Sequence, residues 1–95
     1  MKLIKHKNVV DDMNSIKVTS SYLTEYRNVA GALHREDGPA LEYSSRTKCW
    51  YINGKFHRVD GPAIEYTNGS KAYWLNGRQY SYKDWDRLRK LLVFS

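Results

Sequence analysis

GALHREDGPALEYSSRTKCWYIN (residues 31–53) is followed without a gap by GKFHRVDGPAIEYTNGSKAYWLN (residues 54–76), and eleven of the 23 aligned positions are identical. Most mismatches keep their character, as in Leu33/Phe56, Leu41/Ile64, Trp50/Tyr73, Tyr51/Trp74 and Ile52/Leu75. The stretch is therefore a duplication. Units of about 20–50 residues each form one supersecondary element whose apolar face only its neighbours cover. A third copy begins at Gly77-Arg78. Upstream, EYRNVAGALH keeps the end of a degenerate earlier copy over residues 25–30, with Val29 in the place of Ile52 and Leu75.

Each unit predicts a β-hairpin. In the second copy PAIEY precedes TNGS, whose Asn68-Gly69 readily takes positive φ, and KAYWLNG follows before another Asn-Gly. A two-residue turn there sets Tyr66 opposite Lys71 and Ile64 opposite Tyr73. One face then carries Ile64, Tyr66, Tyr73 and Leu75, with Leu41, Tyr43, Trp50 and Ile52 from the first copy. The opposite face carries Ala63, Glu65, Ala72 and Trp74, with Ala40, Glu42, Cys49 and Tyr51. A register change of one residue exchanges the faces.

Beyond residue 77 the period changes. Ser81 followed three residues later by Asp84 marks a helix start, and Trp85, Leu88, Leu91 and Leu92 form one stripe at helical spacing. Arg87, Arg89 and Lys90 lie toward its C-terminal end, where cations suit the helix dipole. The expectation is a mainly β fold: tandem antiparallel 23-residue hairpins in a twisted sheet, with a short α-helix capping the last one. One domain is expected to span 1–95, comprising an N-terminal segment 1–24 read as β, the remnant 25–30, repeats 31–53 and 54–76, and a linker and helix over 77–95. In the first segment SIKVTSSYL predicts a strand and DDMNS a turn or loop.

A chain of 95 residues buries only roughly 60–65% of the surface that its unfolded form exposes, so its core must be thin. The lone Cys49 has no partner for an internal disulfide, which suits a reducing compartment, and the expected location is the cytoplasm. MKLIKHKNVV lacks an apolar run long enough for a signal peptide, and no stretch approaches the ~20 residues of a membrane span. No membrane insertion is expected. The net charge of +6 is concentrated at the ends: Lys2, Lys5 and Lys7 at the start, and Lys83, Arg87, Arg89 and Lys90 against Asp84 and Asp86 at the finish. Residues 31–77 are almost balanced, with six basic and five acidic side chains.

The pattern NGKFHRVDGPAIEYTNGSKAYWLNG resembles the MORN repeat, a 23-residue hairpin unit with an aromatic strand, an Asn-Gly and a following His. More closely it resembles the HRxDGPAxEY…WYxNG variant of small bacterial and phage proteins. The match covers about residues 25–80. HRVDGPA replaces the glycine-rich segment of the main MORN pattern, so the resemblance is not used to carry over lipid-binding or scaffold roles of longer arrays. The resemblance implies a twisted run of antiparallel hairpins used for protein association, with no catalytic residues or cofactor to carry over.

Chemistry-bearing residues are mostly duplicated. His34 with Asp37, and His57 with Asp60, have a base-and-orienter look, but an active site is assembled once from unlike parts, whereas a repeat reproduces what its fold requires. The expected role of His34, Asp37, Gly38 and Pro39, and of His57, Asp60, Gly61 and Pro62, is structural: Asp before Gly-Pro accepts backbone N–H bonds in a turn, and His ties loops together. The two histidines lack a clear third ligand for a metal. Cys49, aligned with Ala72, fills a small slot rather than acting as a nucleophile. Glu42 and Glu65 are again repeat-related, so they are read as partners for Lys or Arg rather than an acid/base couple. No enzyme and no metal site is expected.

Binding is the better reading. Tyr51 and Trp74 recur on the face opposite the expected core, with Arg35, Arg58, Lys55 and Arg78 in equivalent loops, and aromatic and arginine side chains dominate interface energetics. The expected function is a non-catalytic protein-interaction module, a small phage or bacterial accessory factor that occludes or tethers a target protein. The alternative is a nucleic-acid-binding accessory protein using the basic termini and aromatic rings. Exposed strand edges also make a second copy a candidate partner.

Overall fold

The Asn-Gly turns set the architecture. A computed structural model describes residues 9–12 and 15–94. Strands are β1 (Val9–Asp12), β2 (Ser15–Thr19), β3 (Leu23–Arg27), β4 (Leu41–Tyr43), β5 (Lys48–Cys49), β6 (Tyr51–Ile52), β7 (Lys55–Phe56), β8 (Ile64–Glu65), β9 (Lys71–Leu75) and β10 (Arg78–Tyr80), followed by helix α1 (Tyr82–Phe94). The protein is mainly β. Eight strands form one antiparallel sheet in the order β1-β2-β3-β4-β5-β8-β9-β10, and β6 pairs with β7 separately. The molecule measures 44 × 33 × 16 Å, so it is thin in one direction.

Asn53-Gly54 and Asn76-Gly77 all have positive φ, at 49° and 80° in the first pair and 49° and 81° in the second. These are two-residue type I′ turns joining Ile52 to Lys55 and Leu75 to Arg78. Asn68-Gly69 behaves otherwise. The Tyr66 N–H donates to the Ser70 carbonyl and the Gly69 N–H to the Tyr66 carbonyl, so the loop Thr67–Gly69 has three residues and only Gly69, at φ 92°, is left-handed. That is the loop of a type I turn closed by a bulge. In the first copy Tyr43 and Thr47 are joined in the same way, and Arg46 takes the left-handed position at φ 84° despite its side chain.

The extra loop residue corrects the expected register. Glu65, not Tyr66, faces Lys71, and Ile64 faces Ala72; in the first copy Leu41 faces Cys49. One arm of each hairpin is therefore turned over relative to the expectation. Leu41, Cys49, Ile64 and Ala72 form the buried cluster, with Leu23, Leu33, Tyr51, Phe56 and Trp74 packed against it. Tyr51 and Trp74 lie on the core side, contrary to the expected placement. The other side buries Ala40, Ala63 and Leu75, and there Trp85 of α1 packs on Tyr73.

Residues 15–27 form a hairpin, β2 on β3, so SIKVT is a strand as expected. In DDMNS, Asp11 and Asp12 belong to β1 and Ser15 to β2, while Met13 and Asn14 lie outside the described residues, as do Lys2, Lys5 and Lys7. The degenerate copy is one residue longer than its successors. Its turn closes by Asn28 N–H to the Ala32 carbonyl, with Gly31 at φ 90°, and Val29 sits exposed at the tip rather than in the place of Ile52 and Leu75. The insertion also moves the ring position: Tyr26 N–H donates to Ala40 O as Trp50 N–H does to Ala63 O.

Ser81 caps α1, its Oγ accepting the Asp84 N–H at 3.2 Å. Trp85 is buried and Leu88 half-buried, but Leu91, Leu92 and Val93 stay exposed, so the sheet covers only the first half of the stripe. Among the described residues no helix is long and apolar enough to cross a membrane.

Candidate functional site

The duplicated HRxDGPA motif repeats a shared set of bonds in both copies. The Arg58 guanidinium lies 3.8 Å from the Trp50 ring centre and that of Arg35 lies 3.9 Å from the Tyr26 ring centre, each on an aromatic residue of the preceding unit. Arg58 Nε donates to Asp60 Oδ1 at 3.0 Å and an Nη donates to the Pro62 carbonyl at 3.1 Å. Arg35 repeats this with Asp37 at 3.1 Å and Pro39 at 3.2 Å. A Cβ at Gly61 would stand 2.7 Å from the Arg58 guanidinium carbon, and one at Gly38 2.9 Å from that of Arg35. A Cβ at either position would displace the guanidinium from its place between the loop backbone and the ring. A planar cation that also donates a fork of hydrogen bonds fits such a slot, whereas an ammonium does not.

The histidines complete the joint. His57 Nδ1 accepts the Asn76 N–H and His34 Nδ1 accepts the Asn53 N–H, both at 2.9 Å, so each ring holds the next Asn-Gly turn and carries its proton on Nε2. His34 is 4% exposed, and its Nε2 lies 3.5 Å from Glu36 Oε2. Burial pushes the His57 imidazole below its ordinary 6.5. Protonation at Nδ1 would also set two N–H groups against each other. The unfolded chain therefore takes up this proton first as pH falls. Stability from His57 is full above pH 6.5 and is lost as the pH drops through the depressed folded value. Thermal melts between pH 8 and pH 5 should show a steeper acid loss for the native chain than for His57→Asn, whose amide oxygen accepts the turn N–H without titrating. Parallel curves would refute this role.

The ring series Tyr26, Trp50, Tyr73 ends differently. Ser81 stands where the next arginine would be, and Tyr73 is covered by Trp85 and Tyr82 at ring-centre distances of 4.7 and 5.2 Å. Trp85 Nε1 donates to the Arg58 carbonyl at 2.9 Å. The helix thus replaces the missing third arginine.

The structure separates the sequence-predicted binding residues. Tyr51, Phe56 and Trp74 form a packed staircase with ring centres 4.4 and 4.9 Å apart, and the buried Trp74 indole N–H has no acceptor among the described residues. Arg35 and Arg58 are held in the joints just described. Lys55 and Arg78 are exposed on the strands that follow the two Asn-Gly turns. Cys49 is buried beside Leu41 and Ile64, and burial pushes its thiol pKa up, so it stays neutral. A groove of about 450 Å³ runs between the two HRxDGPA loops, lined by Trp50, His57 and the two Arg–Asp pairs. Among the described residues no three His, Cys, Asp or Glu side chains gather as metal ligands.

Sequence reasoning placed Tyr43 and Tyr66 in the core. They instead stand at the hairpin tips, 42% and 44% exposed, in a row with the exposed Tyr22. Arg46 is at the tip between them, where its left-handed backbone holds it, and two shallow grooves share Glu42 and Tyr43 along this row. Their recurrence ahead of each tip loop was the available signal, because the end of a short strand lies off the central stripe. Compared with protein-family models, curated proteins and solved structures, the chain matches none.

Proposed function

We propose that this chain is a MORN-like, non-catalytic protein-interaction module, acting as an accessory factor in the cytoplasm of a bacterial or phage-infected cell and occluding or tethering one target protein. The observation that carries the reading is the division of labour among its aromatic and arginine side chains. Tyr26, Trp50, Tyr51, Trp74, Arg35 and Arg58 are bound within the fold, whereas Tyr22, Tyr43, Tyr66 and Arg46 stand outward along one side. Tyrosine and arginine are enriched among the residues that carry interface energy. Lys55 and Arg78 remain exposed at the other end of the hairpins as further contacts.

Nucleic-acid binding has less support. Arg27, Arg35, Arg58, Arg87, Arg89 and Lys90 each pair with a carboxylate of the chain, which lowers the charge that these six offer to phosphates. Affinity capture from the native host, with and without nuclease, tests the assignment. The captured protein should survive nuclease and moderate salt. The double variant Tyr43→Ala/Tyr66→Ala, with an unchanged melting curve, should bind it about 30-fold or more weakly, on the scale of one interface hot spot. Steep loss with salt would favour nucleic acid, and retention of the partner by the double variant would overturn the tip surface.

A further inference from the structure

We infer that the outer edge of β9 at Lys71–Ala72 takes up an extended segment of a partner protein with the pattern Ala–aliphatic–Glu, the pattern of this chain's own first strand in each unit. The inference rests on the protein-interaction reading and adds a second contact with its own chemistry.

The internal joints supply the template. Edge β3 is filled by Ala40-Leu41-Glu42 and edge β5 by Ala63-Ile64-Glu65, in each case with a backbone N–H donated to the alanine carbonyl, from Tyr26 at 2.8 Å and from Trp50 at 2.7 Å. The charges alternate across the strands. Glu42 faces Lys48, Lys48 faces Glu65 and Glu65 faces Lys71. Lys48 therefore has a carboxylate on each side, and Lys71 has one side only. The residue 23 positions after Glu65 is Leu88, which lies in α1, so the chain does not supply the next carboxylate.

The edge itself is short but open. β9 pairs with β8 through Lys71 and Ala72 and with β10 through Tyr73 to Leu75, so on the β10 side Lys71 and Ala72 face no strand. The Tyr66–Ser70 backbone bond makes that pair a hydrogen-bonded one. By alternation Glu65–Lys71 is not, and the Lys71 N–H and C=O point away from β8. In the preceding unit the same groups of Lys48 face Glu65 of β8. The Glu65 carboxylate goes to Arg58 at 3.0 Å, and Lys71 has no ion pair among the described residues. The Lys71 N–H and C=O offer backbone bonds for affinity and its ammonium offers selection, while the Tyr73 N–H, the counterpart of the Tyr26 and Trp50 donors, belongs to the β10 pair. A lysine on an edge also serves to repel strand addition, and the experiment separates the two roles.

The probe is a blocked synthetic peptide with the sequence of residues 61–68, GPAIEYTN, titrated into the full ¹⁵N-labelled chain. Shifts should centre on the amides of Ser70 to Tyr73, with slowed exchange at Lys71. Glu65→Lys in the peptide, which leaves the protein untouched, should weaken binding about fivefold, the scale of a cross-strand charge pair. Lys71→Glu in the protein should reverse the order of the two peptides. Absence of shifts at Lys71–Tyr73 at millimolar peptide, equal binding of both peptides, or the same shifts on raising protein concentration without peptide would each overturn the inference, the last by identifying a second copy as the occupant. Peptide binding that persists in Tyr43→Ala/Tyr66→Ala separates the two surfaces: loss of the captured partner alone sinks the tip reading, and loss of the peptide alone sinks this one.

Discussion

Trp85→Ala is expected to destabilise the protein by about 3–5 kcal/mol, the range for removing a large buried aromatic side chain. Domains of this size are commonly stable by only about 5–15 kcal/mol, so this one side chain carries about a fifth or more of the total. Three observations on one side chain set the size. Trp85 is 3% exposed, it covers Tyr73, and its indole N–H satisfies the Arg58 carbonyl. Arg89 adds a cation 5.0 Å from the ring centre and donates to Val59 O. Trp85→Phe keeps most of the ring and loses the donor, so it should cost about 1 kcal/mol beyond its volume change. Urea denaturation followed by far-ultraviolet circular dichroism reads both. A loss below 1 kcal/mol for Trp85→Ala would mean that α1 does not close the sheet.

The duplication, the hairpins, the Asn53-Gly54 and Asn76-Gly77 turns and the Ser81-capped helix were all legible before any coordinate, because each rests on a local residue preference. Register was not. Thr67-Asn68-Gly69 contains the same dipeptide as the type I′ turns, and nothing within four residues says whether two or three residues close the loop. The first copy held the decisive clue: its loop has Arg46 in the glycine position, and SSRT lacks the Asn-Gly that a two-residue turn favours. That single residue decides whether Trp74 packs inward or outward, and it reverses which aromatic residues are free to bind.

Which of the candidate residues stand exposed was not legible, for a related reason. Repetition identifies residues that the fold needs, and Arg35, Arg58, His34 and His57 satisfy that rule by joining units. The same rule does not distinguish a joint from a surface that merely recurs, such as Tyr43 and Tyr66. The capping role of Trp85 illustrates the opposite case. It occurs once, yet it stands at the end of a repeated series, and only the geometry shows that it takes the place of an arginine on Tyr73.

If the guanidinium joints hold the units together, Arg58→Ala should cost about 2–4 kcal/mol, from a desolvated cation–π contact and hydrogen bonds of a charged donor. Arg58 bonds Glu65, at 3.0 Å, in addition to Asp60 and Pro62. Arg58→Lys should recover little, since an ammonium neither lies flat on Trp50 nor reaches Asp60, Glu65 and the Pro62 carbonyl together. Gly61→Ala should approach the same loss by another route, its Cβ meeting the guanidinium at 2.7 Å. A double-mutant cycle of Arg58→Ala with Trp50→Leu isolates the joint from general packing, and a coupling of about 1–2 kcal/mol is expected in denaturant titrations. Additive effects of the two substitutions would leave the arginine without its structural role and return it to the list of residues free to meet a partner.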